Sequence, residues 1–229
     1  MACGRFMSEL HLSAATDRHE IRHASRRSKR WLLSFATGGE QVELLEGIKS
    51  RRAIRKFKKE SVPLEIIERA VETAKWSPVA PPFRQWQYEV VTGSTCSRLV
   101  SLINANSIHL KHMLEAFSEE DRAKIIEYYL SLGNTQCLVL VTTPPVDDVW
   151  EKKYMMVLIG TELEVFLLSL YMDGIGACGL TITPNTEREI LDILGIRDRE
   201  LVVGFAVGYP DESPEPIPRD RAPINLYAD

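Results

Sequence analysis

Three arginines within five residues, Arg51, Arg52 and Arg55 in the stretch SRRAIRKF from Ser50 to Phe57, close the first helix that the sequence predicts. Each guanidinium is permanently charged and offers a rigid fork of donors, so such a cluster suits a phosphate. The same cluster also suits a solvated basic helix end, where the helix dipole favours cations. A second basic pair, Arg219 and Arg221, stands in the last segment of the chain. If that segment folds back, both clusters grip one anion.

Other motifs carry less. The run GIGACG, Gly174–Gly179, matches GxGxxG, but a dinucleotide loop needs a strand before its glycines and a helix after them. Here a long helix precedes and a strand follows, so the glycines are expected to cap the helix and allow a sharp exit. His109 and His112 lie three apart on a predicted helix, a spacing that can put two imidazoles on one face. With no third ligand at a telling spacing, a solvated pair is expected and no metal. Glu162 and Glu164 sit within an apolar helix, where a carboxylate is costly unless paired. They are expected to face an arginine, a pocket or a partner subunit. Cys3, Cys96, Cys137 and Cys178 form no CxxC pair, which indicates neither a disulfide framework nor structural zinc and fits a reducing cytoplasm. No Ser-His-Asp or Cys-His arrangement is evident, and no catalytic side chain is assigned.

The elements that must hold these residues are legible from Val42 onward. With 45% hydrophobic and 26% charged residues among 229, the chain can bury a core, which excludes disordered and collagen-like classes. The net charge of −4 argues against a surface built for nucleic acid. Residues 1–35 nevertheless hold seven Lys/Arg against three Asp/Glu, and residues 1–41 are expected to be a poorly ordered or partner-docked extension of the domain at 42–229. Spacing predicts helices over 63–76, 95–116 and 119–132, a helix apolar on nearly every face over 153–173, and another from Pro184 to Gly195 with Thr183 as N-cap. Strands are expected at Trp86–Val91, at Cys137–Thr142, from about Ala177, and at Leu201–Tyr209. Glu162 and Glu164 interrupt the most apolar stretch, so no membrane span is expected. The tail DESPEPIPRDRAPINLYAD has four prolines and is expected to run extended over a surface. The sum is an α+β domain.

The order of these pieces resembles the nitroreductase family of FMN-dependent flavoproteins from about Val42 to Tyr227. An RRSIRxF-like opening is matched by Arg51, Arg52, Ala53, Ile54, Arg55 and Phe57. A loop and strand of the form SPSGGNxQPWxFxVV are matched by Ser77, Pro78, Trp86, Tyr88, Val90 and Val91. A long apolar helix ending GLGTCW-like corresponds to Gly174–Leu180, a GYP end to Gly208, Tyr209 and Pro210, and a KxRxP-like tail to Arg219, Arg221 and Pro223. The resemblance implies a sandwich with a central, mostly antiparallel sheet flanked by helices. It further implies a homodimer formed through the long helix, with the tail swapped onto the other subunit and FMN at the interface. Arg51, Arg219 and Arg221 would hold the FMN phosphate, with Arg52 and Ala53 lining that loop. Arg55 would reach the ribityl and pyrimidine side, Ser77, Pro78 and Val79 would pass along the ring, and backbone at Gly179, Leu180 and Thr181 would approach N5. Ala53 stands where many members have serine. Pro81, Pro82, Phe83 and Arg84 stand where they have Gly-Gly-Asn-x-Gln, which leaves Pro82 in the ring loop and Arg84 within reach of the N1–C2=O edge.

The activity so implied is transfer of hydride from NADPH or NADH to an electron-poor small molecule, a nitroaromatic or quinone, in a ping-pong cycle, with neither nucleic acid nor membrane as partner. Residues 105–135 are the expected cover. Two other readings stay open: a specialised flavoenzyme on the same scaffold, performing dehalogenation or consuming its flavin, and a flavin-free dimeric binding module.

Overall fold

The computed structural model describes residues 44–79, 84–107, 114–216 and 219–227. The elements run α1 (Leu44–Ser50), α2 (Leu64–Ala74), β1 (Gln87–Thr92), α3 (Gly93–Asn106), α4 (Glu119–Ser131), β2 (Cys137–Thr143), α5 (Val149–Met172), β3 (Gly176–Leu180), α6 (Pro184–Leu194) and β4 (Glu200–Gly208). The four strands form one sheet in the order β1-β2-β4-β3, every pair antiparallel. The expected α+β class and antiparallel sheet are therefore observed. His109, His112 and Pro82, and the proposed extension at residues 1–41, lie outside the described residues.

β2 shows why the sheet is covered on both faces. All seven of its residues are buried, and its side chains alternate between two apolar clusters. Leu138 and Leu140 join Leu99, Tyr128 and Ile190 on the side of α3, α4 and α6; Cys137 and Val139 join Ile67, Ala70 and Phe166 on the side of α2 and α5. Each fully buried leucine contributes roughly 2 kcal/mol on transfer grounds. Local signals agree with the layers. Ser118, Asp148 and Thr183 each accept a hydrogen bond from the main chain of the first helical turn that follows.

Several boundaries differ from the sequence reading for local reasons. α5 begins at Val149, four residues before the apolar run, because Asp148 Oδ1 accepts from the Glu151 N–H at 2.8 Å and caps a charged first turn. By length and composition α5 could cross a bilayer, yet it carries the fully buried Glu162 and packs on α2. At its other end Gly174 takes φ +76°, and Ile175 N–H donates to Leu170 O at 2.9 Å while Gly174 N–H donates to Tyr171 O at 3.0 Å. This is a glycine-terminated helix cap, not a nucleotide loop. Gly176 follows because a Cβ there would press on the Ile54 side chain. α3 runs from Gly93 to Asn106; of the remainder of the helix expected to 116, residues 108–113 lie outside the described residues.

The sequence places Arg51, Arg52 and Arg55 at the close of the first helix; α1 instead ends at Ser50, and residues 53–58 run extended. Ala53 bridges Ala177 on the free edge of β3, and Phe57 bridges Pro210. Further donors are Ile54 N–H to Ala177 O (3.1 Å), Phe57 N–H to Gly133 O (2.8 Å) and Lys58 N–H to Tyr209 O (2.9 Å). The segment blunts an otherwise open sheet edge.

Two predictions follow from this packing. Gly133 has φ +67°, and a Cβ there would overlap the Arg55 carbonyl oxygen, so Gly133→Ala is expected to lower the unfolding free energy by about 2–4 kcal/mol, read as a lower urea midpoint. Burial pushes the Cys137 thiol up to about 12 and the Cys96 thiol up to about 11. Both stay protonated in the fold at a pH where the unfolded chain releases its protons, so their contribution is complete below about pH 9 and is lost as pH rises through 11. Urea midpoints at pH 8 and pH 10.5 should show that fall, and Cys137→Ala should reduce it.

Candidate functional site

The extended segment 53–57 separates the arginines. Arg51 and Arg52, just beyond α1, line a cavity of about 220 Å³ closed by Leu167 and Tyr171 of α5, Gly174–Ala177 and the stretch Pro210–Pro214. Arg52 Nη1 donates to the carbonyls of Lys49 (2.7 Å) and Arg51 (2.8 Å), which ends α1 and fixes the guanidinium. Its Nε and the Nε of Arg51 are buried without a hydrogen-bond partner. The Arg51 Nε stands 3.6 Å from the carboxylate of the half-exposed Glu164, an ion pair beyond hydrogen-bonding distance. Buried donors left unmade are costly, and two of them belong to arginines that line this cavity, together with the carboxylate of Glu212.

Arg55 stands on the other side of the Ala53–Ala177 bridge. It lines a second cavity of about 160 Å³ with Phe117, Ile125, Tyr128, Gly179 and Thr181. Glu212 accepts from the main-chain N–H groups of Arg55 and Lys56 and so ties the residues after β4 to this strand. Thr181 N–H donates to Tyr129 Oη at 3.0 Å. Burial raises the Tyr128 hydroxyl and the Cys178 thiol above their ordinary ranges, which keeps both protonated at neutral pH.

A third group lies at the start of β1. Glu162 is fully buried, and its carboxylate accepts from Arg84 Nη2 (2.7 Å) and Nε (3.0 Å), Trp86 Nε1 (3.0 Å) and Tyr88 Oη (3.0 Å). The Arg84 guanidinium also lies 5.6 Å from the centre of the Trp86 ring. Burial, followed by the Glu162 charge and hydrogen bond, raises the Tyr88 hydroxyl well above its usual range. Of the partners the sequence left open for Glu162, the structure shows an arginine.

The predicted residues thus fall into separate groups within one chain. Arg51 and Arg52 share the first cavity; Arg55, Gly179 and Thr181 share the second; Ala53 lies in the bridge between them and Leu180 is buried in the core. Ser77 is buried with its Oγ unpartnered, Pro78 is exposed, and Val79 packs against the Trp86 cluster. Arg219 and Arg221 are exposed and line neither cavity. Two groups went unread. Glu212 was one acid in an acidic tail, with no local signal of its 157-residue reach to Arg55. Tyr128 and Tyr129 read as ordinary helix residues, although a tyrosine pair on an inward helix face could have marked a hydroxyl in need of a partner.

The nitroreductase family model matches residues 48–209. YfhC of Bacillus subtilis, whose name assigns it provisionally to the NAD(P)H nitroreductases, is 28% identical over 178 residues, which cover 77% of this chain and 88% of YfhC. Among solved structures, the FMN and NADPH-dependent nitroreductase NfnB of Sphigopyxis sp. strain HMH superposes with a TM-score of 0.64 at 19% identity, covering 79% of this chain and 96% of that one. Oxidized iodotyrosine deiodinase bound to FMN and 3-iodo-L-tyrosine superposes with a TM-score of 0.61 at 22% identity, covering 81% of this chain and all of the other. The family model covers most of the domain and the solved structures share its fold, and the chain belongs to the nitroreductase family.

Proposed function

We propose that this protein is an FMN-dependent oxidoreductase that takes hydride from NADPH or NADH and delivers it, in a ping-pong cycle, to an electron-poor small molecule such as a nitroaromatic or quinone. The observation that carries the reading is the pair Arg51 and Arg52 lining one cavity of about 220 Å³, each with a buried Nε that makes no hydrogen bond. These residues fit an FMN phosphate by charge and by unmet hydrogen-bonding capacity. NfnB and iodotyrosine deiodinase, which share the fold, are described with FMN.

When bound, FMN would supply the hydride-accepting and hydride-donating centre. The chain's own residues would bind and orient it. Arg51 and Arg52 would hold the phosphate, and Arg55, across the strand from them, would face the ribityl and pyrimidine side. Gly179 and Thr181 on the exposed side of β3 would lie along the ring, with Ser77, Pro78 and Val79 opposite. Arg84 would contribute little free charge to the ring, because two of its three nitrogens are spent on Glu162. No side-chain acid or base is required, since binding and exclusion of water are what the protein must add.

A second copy of the chain belongs to this proposal. Val149, Trp150 and Val157 leave an apolar side of α5 exposed, and Leu44, Leu45 and Ile48 do the same on α1, which touches α5. Such a surface fits a homodimer that brings Arg219 and Arg221, or Ser77–Val79, of one subunit toward the cavities of the other.

The purified protein is expected to show flavin absorbance, roughly at 370 and 450 nm, or to acquire it on adding FMN, and to bleach anaerobically with NADPH or NADH. Arg51→Ala should weaken FMN binding at least tenfold, the cost of about 1.4 kcal/mol or more expected for one charge-assisted contact. A colourless protein that takes up no FMN defeats the proposal.

A further inference from the structure

The donors on Glu162 come from residues 84, 86 and 88, which alternate along the lead-in to β1 and along the strand itself. Alternate residues of an extended chain share one face, so a single carboxylate on α5 gathers three consecutive inward side chains of that face. A charge at zero exposure costs several kcal/mol unless it is paired and hydrogen-bonded, so this cluster is either complete or a liability. Here it is complete, with four donors on one carboxylate.

The consequence lies just upstream. Residues 75–86 connect α2 to β1, and the described residues on either side of 80–83 are fastened. Ser77 N–H donates to Ala74 O at 2.9 Å at the end of α2, and Arg84 is clamped on Glu162. Val79 packs between them against the cluster of Trp86, Met155 and Ile159. Two residues further along α5, Glu164 points to a different task and pairs with Arg51 at the anion cavity. One helix thus ties down the residues proposed for the ring and the residues proposed for the phosphate.

We propose that Glu162 is a positioning residue: through Arg84, Trp86 and Tyr88 its buried carboxylate sets the conformation of Ser77–Val79 in which that segment meets FMN. The proposal rests on the FMN reading above and adds to it a residue that touches neither phosphate nor ring. It also gives Arg84 a role as a strut, with its charge balanced inside the protein.

The test uses the full-length chain and two readouts: hydrogen exchange of the amides of 76–86 without FMN, and the FMN dissociation constant by fluorescence titration. Glu162→Gln leaves Arg84 uncompensated and is expected to speed exchange over 76–86 at least tenfold while leaving β2 and β4 protected, and to weaken FMN at least tenfold. The double variant Arg84→Gln with Glu162→Gln removes both charges and should recover FMN affinity to within threefold of the wild type. Tyr88→Phe deletes one donor without leaving a charge; it should give a smaller change of the same kind, about threefold in both readouts, and serves if Glu162→Gln does not fold. Ile190→Val, in the core on the other face of the sheet, should leave FMN affinity within twofold. Unchanged exchange over 76–86, or FMN affinity within twofold of the wild type in both Glu162→Gln and Tyr88→Phe, overturns the proposal. Uniformly faster exchange, with Ile190→Val losing FMN to the same degree, also overturns it, because the effect is then global stability. A wild-type chain that takes up no FMN defeats the flavin reading itself and this proposal with it, an outcome distinct from a wild type that binds and a variant that binds equally well.

Discussion

An ionised carboxylate held away from water must find its compensation in the protein, and Glu162 finds all of it in one strand and its lead-in. That requirement couples elements that apolar packing alone would leave free to slide. Leucine and valine contacts between α5 and β1 tolerate a shift along the strand, whereas donors at fixed distances from one carboxylate do not. The register of β1 against β2 runs without interruption from Gln87–Thr142 to Thr92–Cys137, so what fixes β1 also fixes its place in the sheet. Arg199 reinforces the same corner by donating to the Gln85 carbonyl at 2.7 Å and to Thr142.

At the opposite edge the constraint is steric. Gly176 lets Ile54 approach, Gly133 lets the Arg55 carbonyl approach, and Gly208 admits the Phe57 ring. Three glycines far apart in sequence serve one extended segment. This arrangement sends Arg51 and Arg52 to one cavity and Arg55 to another, although the three lie within five residues. The short extended segment acts as a partition between the two cavities.

Much of this was legible in the sequence because it is local. Thr183 before Pro184, Gly195 after Leu194 and the alternation of β2 announce elements whose causes lie within a few residues. The glycines of GIGACG were correctly read against their motif, since what precedes and follows them decided the matter. The candidate site was legible as a list of residues and not as an arrangement. Arg51 through Arg55 read as one cluster because spacing along a helix was assumed, whereas bridges to Ala177 and Pro210 hold that segment extended. Glu212 and Tyr129 were invisible for the same reason: their partners, Arg55 and Thr181, are 157 and 52 residues away. For Glu162 the sequence supplied the question, a costly carboxylate, and the fold supplied the answer.

The strand order has a consequence for how the chain is made. β4 is the last strand in sequence, yet it lies between β2 and β3, and the extended segment at 53–58 pairs with residues around 209–211. During synthesis from the N-terminus, β1 and β2 can form a hairpin-like pair early, but β2 waits with an open edge and β3 has no neighbour until nearly all of the domain has been translated. The many contacts between distant residues favour slow closure of the sheet. A ribosome stalled before residue 200 would therefore leave exposed one of the most apolar strands in the molecule, and folding in the cell depends on finishing translation faster than that edge finds another chain.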